Sequence, residues 1–164
     1  MTMWRAYDVY MHIIMEGTRL AATTPRAAIQ TCACHRVRMA ARAVTRTYDD
    51  MLRPTGLRAT QLSILVAVAI DGAMSITGLA KLLCTDRSTL TRNLRPLEDQ
   101  GLIMIGPEGR YRSRTLEITK HGRARLGEAL PLWEKAQNAL RARLGDSNWA
   151  EMYGCLDNLI SAAA

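Results

Sequence analysis

Phenylalanine is absent from this chain of 164 residues, and aromatic residues make up only 5% of it. A core without them must be drawn from Leu, Ile, Val, Met and Ala, a mixture rich in helix formers. Long hydrophobic runs are also missing. The longest, Leu62–Ile70, is interrupted by Ser63 and spans roughly half of what a bilayer crossing requires, which argues against a membrane partner. A signal peptide is not evident: His12 interrupts Val9–Met15, and only Arg5 charges the region before it. No repeat or low-complexity tract occurs. The three histidines (His12, His35 and His121) stand near no acid or thiol except the trivial Cys34-His35 pair. With no nucleophile–base pair, no metal-ligand spacing and no phosphate loop, the sequence does not read as an enzyme, and no cofactor or metal is expected. The four cysteines (Cys32, Cys34, Cys84 and Cys155) of a chain without secretion signals fit reduced thiols in a cytoplasm.

What the chain has is positive charge and helical periodicity. Its formal charge is +7, with a pI near 9.7, which favours a polyanionic partner. Composition alone allows an unpartnered basic surface equally well. The stretch Ser75–Thr119 decides between them. Ser75 can cap a helix with apolar positions Ile76, Leu79, Ala80 and Leu83; Asp86 can cap a second in which Leu90, Leu94 and Leu97 recur. At about 100° per residue, the face opposite those leucines carries Ser88, Arg92, Arg95 and Asp99. Two arginines with a small hydroxyl residue, on the outer face of a helix held by another, suit a DNA major groove. A short basic hairpin follows, with Arg110-Tyr111-Arg112-Ser113-Arg114 at its far end. The segment reads as a winged helix-turn-helix, and Ser75–Arg123 holds nine Lys/Arg against five Asp/Glu.

The remainder predicts a mainly α protein with a small β-wing. Residues 1–24 form an extension, either an arm packed on a partner subunit or a segment without a role. A long helix is expected from Pro25 to about Arg53, with Ala33, Val37, Ala40, Val44, Tyr48 and Met51 on one face, stopped by Pro54-Thr55-Gly56. Gln61–Ile70, apolar nearly all round, predicts a buried central helix. Leu102–Ile105 and Arg114–Ile118 read as paired strands around Gly106-Pro107-Glu108-Gly109. Thr119 can cap a helix to about Leu144 with Pro131 inside it. Gly145-Asp146 then precedes a last helix whose Trp149, Met152, Leu156, Leu159 and Ile160 share a face.

This order of elements resembles the MarR-type regulators. The local phrases agree: Arg42-Ala43-Val44-Thr45-Arg46 with Tyr48-Asp49, Gly56-Leu57 with Thr60-Gln61-Leu62, and Leu79-Ala80. They continue through Asp86-Arg87-Ser88-Thr89-Leu90-Thr91-Arg92, Leu97-Glu98 with Gly101-Leu102-Ile103, and Leu116 with Ile118-Thr119. The resemblance covers residues 26–163. It implies one domain over 25–163, with 25–53 and 120–163 as dimerisation helices and 57–119 as the DNA-binding lobe. It also implies a homodimer on a pseudo-palindromic operator of double-stranded DNA, two helices in major grooves and two wings in the flanking minor grooves. A small-molecule site usually lies between the dimer layer and the reading lobe.

The chain departs from the family pattern in three places. Arg110 stands where the wing usually has an Asp steadying the minor-groove arginine, here Arg112. Cys84 occupies a turn position where glycine is common, and a left-handed conformation there costs a non-Gly residue about 1 kcal/mol. Pro96 lies inside the recognition helix, which places the base-reading end near Asp86–Arg92. The expected DNA contacts are Arg87, Ser88, Thr89, Thr91, Arg92, Arg95, Arg110 and Arg112. Arg92 is read as a base reader, Arg95 equally as reader or phosphate contact, and Arg87 and Thr89 as phosphate partners at the helix start.

The signal is less legible. Cys34 has the spacing to Tyr48 and Gln61 of the sensing cysteine in the organic-hydroperoxide branch of the family. Two further tyrosine positions of that branch hold Arg38 and Ala59, although Arg38 can lower the thiol pKa. A small buried cysteine at a dimer interface is the stronger reading of Cys34, and a core residue that of Cys155. A C-x-C inside a helix holds its thiols about 200° apart, too far for a local disulfide or a shared metal. Ligand contacts, if a recess exists, are expected from Arg38, Arg42, Tyr48 or Trp133, with a phenol or a carboxylate as the ligand. The sequence thus predicts first a repressor released by a small ligand, second a repressor switched by oxidation of Cys34, and third an adaptor that does not bind DNA.

Overall fold

The computed structural model describes residues 24–72, 74–107 and 114–163. The chain divides into two compact units, Met1–Ala41 and Arg42–Ala164. Arg110 and Arg112, like the extension before Thr24, lie outside the described residues.

Helix α1 (Pro25–Thr31) is capped by Thr24, whose hydroxyl accepts the Ala27 N–H at 3.1 Å. The expected single helix from Pro25 is broken at Cys32, which has extended dihedrals (φ −68°, ψ 111°), and α2 (Ala33–Leu52) starts afresh. Side chains satisfy the backbone groups orphaned by the break. The Cys32 thiol accepts the His35 N–H at 3.4 Å, and the Arg36 guanidinium donates to the Gln30 carbonyl at 3.1 and 3.3 Å. The helical geometry expected for Cys32 and Cys34 therefore does not apply, because only Cys34 is helical.

In the second unit, a short 3-10 turn (Arg53–Thr55) closes on Gly56 (φ 72°). Helix α3 (Ala59–Asp71) begins where the Asp49 carboxylate accepts the Ala59 N–H at 2.7 Å, while the Gln61 side chain accepts from Arg58 N–H at 2.9 Å. Its Leu62, Ile64, Leu65 and Val68 are buried at the centre of the core. Ile70 departs from the expected all-round burial: it is 76% exposed at the helix end. Strand β1 (Met74–Ser75) leads into α4 (Ile76–Leu82) and then α5 (Arg87–Asp99). Strands β2 (Ile103–Ile105) and β3 (Thr115–Ile118) complete an antiparallel sheet in the order β1-β3-β2, one strand more than the hairpin expected. Leu116 is the shared partner, opposite Met74 on one side and Ile105 on the other.

Helix α6 (Lys120–Leu144) is capped by Thr119 and continues through Pro131; Gly145 (φ 83°) separates it from α7 (Asp146–Ala163). Leu156, Leu159 and Ile160 of α7 are exposed, and α7 buries no residue within the chain. Cys155, expected in the core, is exposed on the same helix. Among the described residues α7 packs on α6 without burying any of its own side chains, so Cys155 stays exposed. No helix among the described residues is long and apolar enough to cross a membrane.

Candidate nucleic-acid interface

The two reading helices form as their sequence dictates. The Ser75 hydroxyl accepts the Gly78 N–H at 3.0 Å, and Ile76, Leu79 and Ala80 are buried. Cys84 takes the left-handed conformation (φ 47°), so the turn keeps the shape a glycine would give it. Hydrogen bonds from Cys84 N–H to the Lys81 carbonyl (3.1 Å) and Thr85 N–H to the Ala80 carbonyl (2.9 Å) over-determine it.

Helix α5 is anchored by Leu90, Leu94 and Leu97, each at most 1% exposed. Its opposite face presents Ser88, Arg92, Arg95 and Asp99 to solvent. Pro96 sits on an exposed position, where the N–H it lacks removes one helical bond without ending the helix. At the start of α5, the Asp86 carboxylate accepts from the Ser88 hydroxyl (2.5 Å), the Thr89 hydroxyl (2.7 Å) and the Thr89 N–H (2.7 Å). These hydrogen bonds, that of Ser88 first, hold its carboxyl far below the usual carboxylate range.

A lowered pKa means that the ionised cap stabilises the fold above the ordinary carboxylate pKa, and that this contribution fades as pH falls below about 4. Asp86→Asn is therefore expected to melt below the wild type at pH 7, with the gap narrowing towards pH 3. A gap that stays constant over that range would show that the charge contributes nothing.

Arg87, Ser88, Thr91, Arg92 and Arg95 line one open recess of about 680 Å3 together with Arg114 at the foot of β3. Arg114 is not among the DNA contacts expected from the sequence, where it also opens the strand Arg114–Ile118. The Ile76 N–H donates to the Arg114 carbonyl at 3.2 Å, which ties the wing's foot to α4. Glu98 and Asp99 also line the recess, at the C-terminal end of α5. Thr89, by contrast, is committed to Asp86 and does not line it. The Thr91 hydroxyl donates to the Arg87 carbonyl at 2.8 Å.

The expected signal residues fall in both units. Cys34, exposed, and Arg38 belong to the first unit, and Arg42 and Tyr48 to the second. Tyr48 lines a second recess of about 610 Å3 with Trp133, and Arg42 does not. Among the described residues no group of three or more His, Cys, Asp or Glu is placed to hold a metal ion.

The MarR family model matches residues 57–104, from the approach to α3 through β2. The crystal structure of the M. tuberculosis transcriptional regulator MosR is 36% identical, with a TM-score of 0.73, and the match covers 83% of this chain and 98% of that one. The same regulator in complex with DNA is 37% identical, with a TM-score of 0.72, and the match covers 80% and 96% of the two chains. An E. coli MarR mutant complexed with operator DNA shares the fold at 20% identity and a TM-score of 0.72, over 80% of this chain and 96% of that one. No curated protein sequence matches. The arginine-faced helix, the wing beside it and a relative matched over nearly its whole length agree, and the chain belongs to the MarR family of DNA-binding transcriptional regulators.

Proposed function

We propose that this regulator is a cytoplasmic homodimeric repressor that reads a pseudo-palindromic operator and is released by a small ligand. The observation that carries the DNA reading is the recess of Arg87, Arg92, Arg95 and Arg114 around one helix face, opposite a fully buried leucine seam. Arg92 reads a base edge; Arg87, Arg95 and Arg114 hold phosphates, with Arg110 and Arg112 of the wing in the minor groove. Glu98 and Asp99 repel phosphate at the far end of α5, which leaves base contact to its first two turns. The dimer is supported by the exposed apolar residues of α2 and α7, Val44 and Met51 on one and Leu156, Leu159 and Ile160 on the other. MosR is similar over nearly its full length and has been seen in complex with DNA.

The second recess supports the ligand reading. Its volume falls in the range of small-molecule sites, and its walls come from α2, α3, the end of α4 and α6. A molecule seated there touches both the helices of the dimer layer and those that carry the reading pair. A second reading is favoured by the break at Cys32: Cys34 is exposed in the first turn of a new helix, open to a hydroperoxide. Oxygen transfer to its thiolate would leave a sulfenic acid and release an alcohol.

The test is titration of the full chain onto DNA from upstream of its own gene, at physiological salt, reduced and after hydroperoxide treatment. Nanomolar binding that exceeds binding to random DNA supports the repressor. Its loss on oxidation, spared in Cys34→Ser, favours the thiol switch. Absence of preference in either state overturns the reading in favour of the adaptor.

A further inference from the structure

The recess lined by Tyr48 has an unusual polarity for a ligand site in so basic a protein. It carries no Lys, Arg or His among its described lining residues. Most of its wall is aliphatic, and its polar side chains are Thr45, Tyr48 and Ser63, with their hydroxyls, and Trp133, with its indole N–H. Two of these hydroxyls have already committed their protons. Ser63 donates to the Ala59 carbonyl at 3.1 Å, and Tyr48 donates to the Gln137 side-chain oxygen. Each therefore has only lone pairs left to offer.

Gln137 does not line the recess, and its other end is held elsewhere. Its amide N–H donates to the Tyr153 hydroxyl at 3.1 Å, and the Tyr153 ring stands edge-on to Trp149 with centroids 5.6 Å apart. The amide thus turns its oxygen towards Tyr48. Burial, and after it the charge of Tyr153, pushes the Tyr48 hydroxyl above its ordinary value, so the proton stays on Tyr48 at neutral pH.

Resting on the reading of this recess as the effector site, we infer that Gln137 sets the hydrogen-bond polarity of Tyr48, so that the site takes an uncharged, ring-sized hydrogen-bond donor and rejects a carboxylate. A carboxylate entering here would shed its water, meet no cation and face the lone pairs of Tyr48 and Ser63, and the neutral donors Thr45 and Trp133 do not offset the desolvation of a full charge. A neutral phenol or indole can donate to Tyr48 while its ring stacks on Trp133. Gln137 is a positioning residue, because it acts only through Tyr48.

The test uses three naphthalenes of one size on the full chain at pH 7, followed by calorimetry and by DNA release. The probes are 2-naphthol, 2-methoxynaphthalene, which cannot donate, and 2-naphthoate, which is charged. The naphthol is expected to bind about tenfold more tightly than the methoxy compound, the worth of one hydrogen bond, with naphthoate weaker than both. Gln137→Leu frees the Tyr48 proton, and the preference for naphthol over the methoxy compound should disappear. Gln137→Glu can only accept, and the preference should persist. Naphthoate binding more tightly than naphthol, or a preference unchanged in Gln137→Leu, overturns the inference and leaves the effector site standing. Binding of none of the three, with DNA affinity unaltered, overturns the effector site itself and the inference with it.

Discussion

Replacing Gly122 with alanine is expected to destabilise the protein by about 3 kcal/mol, the upper end of what overpacking costs, and to lower Tm by roughly 10 °C. The sign is informative, because glycine to alanine inside a helix ordinarily gains about 1 kcal/mol. A Cβ on Gly122 would lie 2.0 Å from the Leu102 carbonyl oxygen and 2.8 Å from the Ile118 side chain. Neither neighbour is free to retreat. Leu102 is held by its own N–H to the Leu97 carbonyl (2.9 Å), and its carbonyl accepts the Thr119 N–H (3.1 Å). Thr119 in turn donates its hydroxyl to the Gly101 carbonyl at 2.7 Å and accepts the Gly122 N–H at 2.9 Å. The start of α6 is thereby pinned against the exit of the recognition helix, and loosening it should weaken DNA binding as well. Gly127 in the same helix provides the control: nothing lies within 4 Å of its Cβ position, and Gly127→Ala should be neutral or stabilising. Thermal melts of the two variants side by side check the argument. Equal stability of Gly122→Ala and the wild type would refute it.

That contact was not visible in the sequence, and the reason shows what sequence can carry. Ser75, Asp86 and Thr119 were legible as caps because a capping side chain acts on an amide three residues away. The leucine seam of α5, and the arginine face opposite it, followed from the helical period alone. Contacts between segments distant in the chain leave no such trace. Glycine at 122 looks like a weak helix residue until Leu102 is placed beside it. Met74-Ser75 is too short for alternation to announce a strand, and it pairs only because β3 lies beside it. Gln137 is an ordinary polar residue in α6 until it is found between two tyrosines. The break at Cys32 was hidden differently. Cys-Ala-Cys continues a helical pattern, and the interruption rests on a thiol cap and on an arginine folding back on α1. Of the candidate site, the arginine face of α5 was legible and Arg114 was not, because a residue at the foot of a hairpin comes to line the recess only through the helix packed beside it.

The largest effect expected on function is that of salt. The proposed homodimer, holding phosphates with Arg87, Arg95, Arg114 and its wing arginines, would make some six to ten such contacts, and each neutralised phosphate would release counterions. Operator affinity should then fall by roughly 10³–10⁵ between 50 and 200 mM salt. Arg114→Ala removes one contact per subunit and should lower the slope of log K against log salt by about 2, with equal losses on every sequence. Arg92→Ala should behave differently, costing about 1–3 kcal/mol per half-site and relaxing the base preference at one position while changing the slope little. Competition between the operator and single-base variants, at several salt concentrations, separates the two. The contrast is demanding because both arginines line the same recess and carry the same charge, so a purely electrostatic surface would give them the same signature. If both variants lose affinity uniformly across sequences, the arginine face of α5 is a phosphate clamp, and base reading must reside elsewhere in the wing or the helix.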